Sequence, residues 1–155
     1  MEDTKKTEAV KANRNYKDTL FRMLFREPEE LLQLYNVVNG THYTNAENLK
    51  IVTLENAVYM NMKNDLAFVM DFYLNLYEHQ STFNPNMPLR DLFYVAREYQ
   101  NLIEDQSLYA STLIKIPAPR FVIFYNGVKE QQERRILKLS DAYEQKITEP
   151  ELELK

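Results

Sequence analysis

The sequence contains no cysteine, which excludes a disulfide scaffold and any thiolate-held metal. A reducing, cytoplasmic setting fits that absence. Glycine occurs only twice, and hydrophobic residues make up 45% of the chain; a globular domain is expected rather than a disordered segment. No apolar run approaches the length of a membrane span, so no membrane partner is expected, and residues 1–17 are too polar to read as a secretory signal. Also missing is an excess of basic residues. The net charge is −4 and the isoelectric point about 5.3, which weighs against nucleic acid as a partner, because DNA binders usually carry a basic footprint.

The distribution of charge softens that objection. Residues 36–80 place Lys50 and Lys63 against Glu47, Glu55, Asp65, Asp71 and Glu78, a local −3 that a bound metal would partly neutralise. The segment after Ser140 carries another −3, whereas residues 129–140, with Lys129, Arg134, Arg135 and Lys138 against two glutamates, come to +2.

The stretch from Asn64 to Ser81 is what the rest of the chain is expected to be built around. Hydrophobic and aromatic residues dominate it, and it contains neither Pro nor Gly, so it reads as two strands folded back on each other. Alternation puts Leu74, Leu76, Glu78 and Gln80 on one face and Tyr73, Asn75, Tyr77 and His79 on the other. With a reversal near Asp71-Phe72, Asp65 falls opposite Glu78, and opposed Cβ atoms in such a pair lie ~5 Å apart. Two carboxylates that close can share one divalent cation, and hard oxygen ligands suit Mg²⁺ or Mn²⁺. On spacing alone, a strand emerging into solvent explains these polar residues equally well.

An Asp followed about a dozen residues later by Glu-x-Gln on the next strand resembles the PD-(D/E)xK nuclease pattern. Within that group, Asn64-Asp65, then Tyr77-Glu78-His79-Gln80-Ser81, then Met87-Pro88-Leu89-Arg90 resemble the recombination-promoting nuclease (Rpn) family, which includes the YhgA-like transposases. The likeness runs from about Asn15 to the end of the chain. It implies an α/β fold with a restriction-endonuclease-like core, a mixed central sheet flanked by helices in the order α-β-β-β-α-β. It implies a metal-dependent DNA endonuclease connected with recombination or transposition, with Asp65 and Glu78 as ligands of Mg²⁺ or Mn²⁺. Asp18 matches the acid of the family's opening helix; a solvated helix acid is the competing explanation. Gln80 stands where the motif prescribes Lys and offers neutral hydrogen bonds in place of charge. That change, with the acidic balance, supports an alternative: a nuclease fold with little or no activity that binds DNA or a protein partner.

The remaining chain is read in order. Residues 1–14 are a charged, frayed terminus, and 15–155 form the single domain. A helix begins at Asn15, with Leu20, Phe21, Leu24 and Phe25 at helical spacing. A second begins at Pro28 and ends at Gly40, with Leu31, Leu34, Tyr35 and Val38 as its buried stripe. A strand is expected over Leu49–Leu54. Pro88 opens a long helix with Leu89, Leu92, Phe93, Ala96 and Ile103 as its apolar positions. Arg90, Tyr94 and Arg97 share one flank of it; Arg90 and Tyr94 are candidates for gripping DNA phosphate, and Arg97 for a surface network with neighbouring acids. His79 points away from Glu78 and is assigned a packing function. Residues 120–125 are apolar on both faces and read as an interior strand with helices on both sides. Further strands are expected near Ile136–Leu139 and at Glu151–Lys155. The latter looks like a strand cut short, so truncation and self-association into a homo-oligomer through that segment are expected.

Overall fold

The computed structural model describes residues 16, 19–53 and 65–155. Asn15, Asp18, Leu54 and Asn64 lie outside the described residues, and with them the expected cap of the first helix and the supporting acid. Residues 19–24 are helical (α1). The chain then runs through α2 (Pro28–Asn39), β1 (Leu49–Ile51), β2 (Leu66–Met70), β3 (Tyr73–Gln80), α3 (Met87–Leu102) and β4 (Ala118–Tyr125), with a short 3-10 helix at Leu139–Ala142. The fold is mixed α/β, and its element order from α2 to β4 is the α-β-β-β-α-β expected. No helix of the described residues is long and apolar enough to cross a membrane.

Proline opens α2, and Gly40 closes it with a left-handed φ of 64°, a conformation that glycine adopts without the Cβ clash other residues meet. The buried side of α2 is Leu31, Leu32 and Tyr35, with Leu34 and Val38 half-buried. In α1 only Phe21 is buried; Leu20 and Leu24 face solvent.

The sheet has the order β1-β2-β3-β4, antiparallel except for the parallel β3–β4 pair. The two-residue reversal at Asp71-Phe72 places Asp71 at φ 52°. Aspartate tolerates that region better than most residues, and the Asp71 carboxylate accepts a 2.8 Å hydrogen bond from the Tyr43 hydroxyl. Helices cover both faces. Phe68, Met70 and Tyr77 pack with Phe21, Leu31, Leu32 and Tyr35 beneath α1 and α2. Ala67, Leu74 and Leu76 pack with Tyr94 and Val95 beneath α3.

Four expectations are corrected. Residues 120–125 do form a strand with apolar residues on both faces, but among the described residues β4 is an edge of this sheet, and residues 120–125 are half-buried; a run apolar on both faces requires cover above and below, not a neighbour on each side. The strand expected over Leu49–Leu54 ends at Ile51 among the described residues. Neither Ile136–Leu139 nor Glu151–Lys155 is a strand. A single backbone bond, Leu139 N–H to Leu154 O at 2.9 Å, joins them, and side chains engage backbone groups nearby: the Tyr143 hydroxyl donates to Leu152 O, and the Glu153 carboxylate accepts from the Ser140 and Leu154 N–H groups. Leu139 and Leu154 thereby join the core under α3. Finally, the buried face of α3 is Met87, Pro88, Asp91, Tyr94, Val95 and Glu98, while Leu89 and Phe93 are exposed. Two acids occupy the seam where apolar residues were expected.

Candidate functional site

Every partner pair in the β2–β3 register follows from Leu66 opposite Tyr77, so Asp65 stands opposite Glu78 one step beyond the ladder. Glu78 lies on the α3 face with Leu74, Leu76 and Gln80, Asp65 stands just before β2, and both are nearly fully buried, at 3% and 6% exposure. The two residues are tied to each other through the backbone. Asp65 N–H donates to Glu78 Oε1 at 3.0 Å, and Asp65 Oδ2 accepts from His79 N–H at 2.8 Å. The outer oxygens face arginines. Arg22 of α1 donates from Nε to Asp65 Oδ1 at 3.1 Å, and Arg90 of α3 brings its guanidinium to 3.6 Å from Glu78 Oε2.

Arg90 is held in place by its own helix. It donates to the Tyr94 hydroxyl from two nitrogens, at 2.6 and 3.2 Å, and to the Met87 sulfur. Tyr94 is itself buried at 2% exposure, so it positions Arg90 from within. Arg97 is exposed on the helix surface. Gln80 is buried at the end of β3, where its carbonyl accepts from Asn126 N–H at 3.0 Å. His79 points to the opposite face and stacks on Phe21 at 5.4 Å, in keeping with a packing function. His42 is an exposed loop residue.

Burial and the neighbouring charge of Asp65 push the Glu78 carboxyl up to about 8, against the pull of the Asp65 amide and Arg90. Asp91 is pushed up to about 7 by burial, with Arg90 opposing. A carboxyl raised this far by desolvation and a like charge marks a place where a cation or a proton is wanted. Among the described residues, no group of three or more His, Asp or Glu side chains is gathered to hold a metal ion. Two carboxylates do suffice for Mg²⁺, which keeps several of its waters. The donors here are hard oxygens, and the groups that must give way, Arg22 and Arg90, are part-exposed side chains at 43% and 34%.

One contributor, Arg22, escaped the sequence reading; it carried no signal there, since its partner lies on another element. The surface network expected between Arg97 and neighbouring acids is corrected for two of them: Asp91 and Glu98 are buried, and with Met87, Tyr94 and Val95 they keep helical spacing, a signal of an acidic α3 seam that could have been noticed. Compared with family models, curated proteins and solved structures, the chain matches none.

Proposed function

We propose that the chain is a Mg²⁺- or Mn²⁺-dependent DNA endonuclease on a restriction-endonuclease-like core, of the Rpn type, serving recombination or transposition in the cytoplasm. The observation that carries this reading is the buried, opposed pair Asp65 and Glu78 at the end of the β2–β3 ladder. Two acids placed this way repel unless a cation or proton intervenes.

Asp65 and Glu78 would hold the divalent ion, which supplies an activated water and stabilises charge on the scissile phosphate. Glu78 holds a proton at neutral pH and releases it when a cation takes its place. Gln80, on the same face, orients the water or a phosphate oxygen by neutral hydrogen bonds. Arg90, freed from Glu78 but still braced by Tyr94, turns its part-exposed guanidinium to the DNA backbone.

One observation favours the alternative of a DNA- or protein-binding module with little activity. Asp65 already pairs with Arg22, and Glu78 is uncharged while it holds its proton beside Arg90, so the site can do without metal, and Gln80 lacks the charge of the usual Lys. Titration of Mn²⁺ into the protein by calorimetry tests the shared premise. One site that disappears in both Asp65→Ala and Glu78→Ala supports the metal centre. Binding that survives both substitutions rules it out.

A further inference from the structure

Four basic residues, Lys129, Arg134, Arg135 and Lys138, lie in the segment between β4 and the 3-10 helix and are exposed. With Glu130 and Glu133 they make a +2 stretch in a chain of net charge −4. That segment is fastened to the same end of the sheet as Asp65 and Glu78. Asn126 N–H donates to Gln80 O at 3.0 Å, directly beyond the last β3–β4 pair. Gly127 passes so close to β3 that an added Cβ would collide with the Ser81 carbonyl and the Tyr125 hydroxyl; only glycine allows that approach. The Tyr125 hydroxyl also donates to Lys129 O at 2.9 Å. Farther along, the Arg135 guanidinium lies over the Phe83 ring at 4.6 Å. Phe83 belongs to the short connection between Gln80 and α3, whose Arg90 reaches Glu78.

We infer that the segment 126–138 is a second DNA-backbone contact, in which Arg134 and Arg135 bind phosphates beside the bond held at Asp65 and Glu78. The inference deepens the nuclease reading and rests on it for the choice of DNA. Arginine suits the task because its planar fork pairs with phosphate oxygens in two parallel hydrogen bonds. The ring of Phe83 holds the Arg135 guanidinium by a cation–π contact without consuming its N–H donors. The carboxylates of the site are buried, whereas Arg134 and Arg135 are exposed, so a duplex backbone can reach these guanidinium groups directly.

The test is binding of a fluorescein-labelled duplex by the full chain in EDTA, followed by anisotropy across a salt series. Each lost phosphate contact lowers the slope of log affinity against log salt by ~0.9. Arg134→Ala/Arg135→Ala is expected to lower the slope by ~1.8, which shrinks the affinity lost between roughly 50 and 200 mM salt by about tenfold. Arg134→Lys/Arg135→Lys should keep most of the slope, and Lys50→Ala, exposed on β1, should leave it unchanged. An unchanged slope in the double alanine variant, or a wild type that does not bind the duplex, overturns the inference. Plasmid nicking separates it from the nuclease reading. Nicking with an unchanged slope removes only this contact, while a lowered slope without nicking retains the contact and removes the nuclease.

Discussion

Glu78→Gln should stabilise the protein, and the gain should grow with pH. The carboxyl lies 3% exposed between Asp65 and α3, and its environment moves it from an ordinary 4.5 to about 8. A carboxyl raised in the folded state binds its proton more tightly there than in the unfolded chain. Between those two values the native state therefore holds the extra proton, and stability falls as pH rises. At 1.36 kcal/mol per pH unit, the full loss above pH 8 is about 5 kcal/mol. Of this, roughly 3 kcal/mol is lost between about pH 5.5 and pH 9. Gln keeps the shape and cannot ionise. Urea unfolding of both proteins at the two pH values, read by circular dichroism, should show the advantage of Glu78→Gln widening by about 3 kcal/mol, or roughly 6–12 °C in melting temperature. An advantage that is the same at both pH values would show that Glu78 is not a buried, protonated acid, and the physical basis of the site would go with it.

Asp91→Asn should behave likewise at a lower pH. Its carboxyl, moved from 3.8 to about 7 by burial, withdraws about 4 kcal/mol as pH rises to 7 and nothing further above it, as urea unfolding from pH 4 to 8 will record. Leu76→Ala, at a site 1% exposed beneath α3, should cost about 2–5 kcal/mol at any pH, read by the same unfolding curves. Gln80→Lys should retain or raise cleavage of plasmid DNA, because the ammonium adds charge where the amide offers only hydrogen bonds. Arg90→Ala should weaken duplex binding and flatten its salt dependence, measured by anisotropy.

The centre of the sheet was legible because period-two patterning is a local signal. The turn at Asp71-Phe72, the facing of Asp65 and Glu78, and the division of β3 side chains between the two faces of the sheet all follow from it. The limits of α2 were legible too, since Pro28 and Gly40 act through their own backbone preferences. What failed depended on contacts between distant segments. The burial of Asp91 and Glu98 in α3, and the exposure of Leu89 and Phe93, follow from how that helix lies on β2 and β3, and hydropathy alone favoured the opposite face. The alternation in Glu151–Lys155 suggested a strand, yet Leu154 buries singly against Leu139 and side chains of Tyr143 and Ser140 satisfy the neighbouring groups. Arg22 meets Asp65 across forty-three positions, a pairing no local pattern announces. Similarly, residues 129–138 showed their charge in the sequence but not the Gly127 and Phe83 contacts that hold the segment against the end of β3.

The most direct measurement is nicking of supercoiled plasmid by the purified chain, with EDTA, Mg²⁺ or Mn²⁺, beside Asp65→Ala and Glu78→Ala of verified fold. The account predicts nicking by the wild type only when Mg²⁺ or Mn²⁺ is present, and none by either variant under any condition. Nicking that persists in both variants, or a wild type that binds metal at Asp65 and Glu78 yet leaves the plasmid intact, would contradict it.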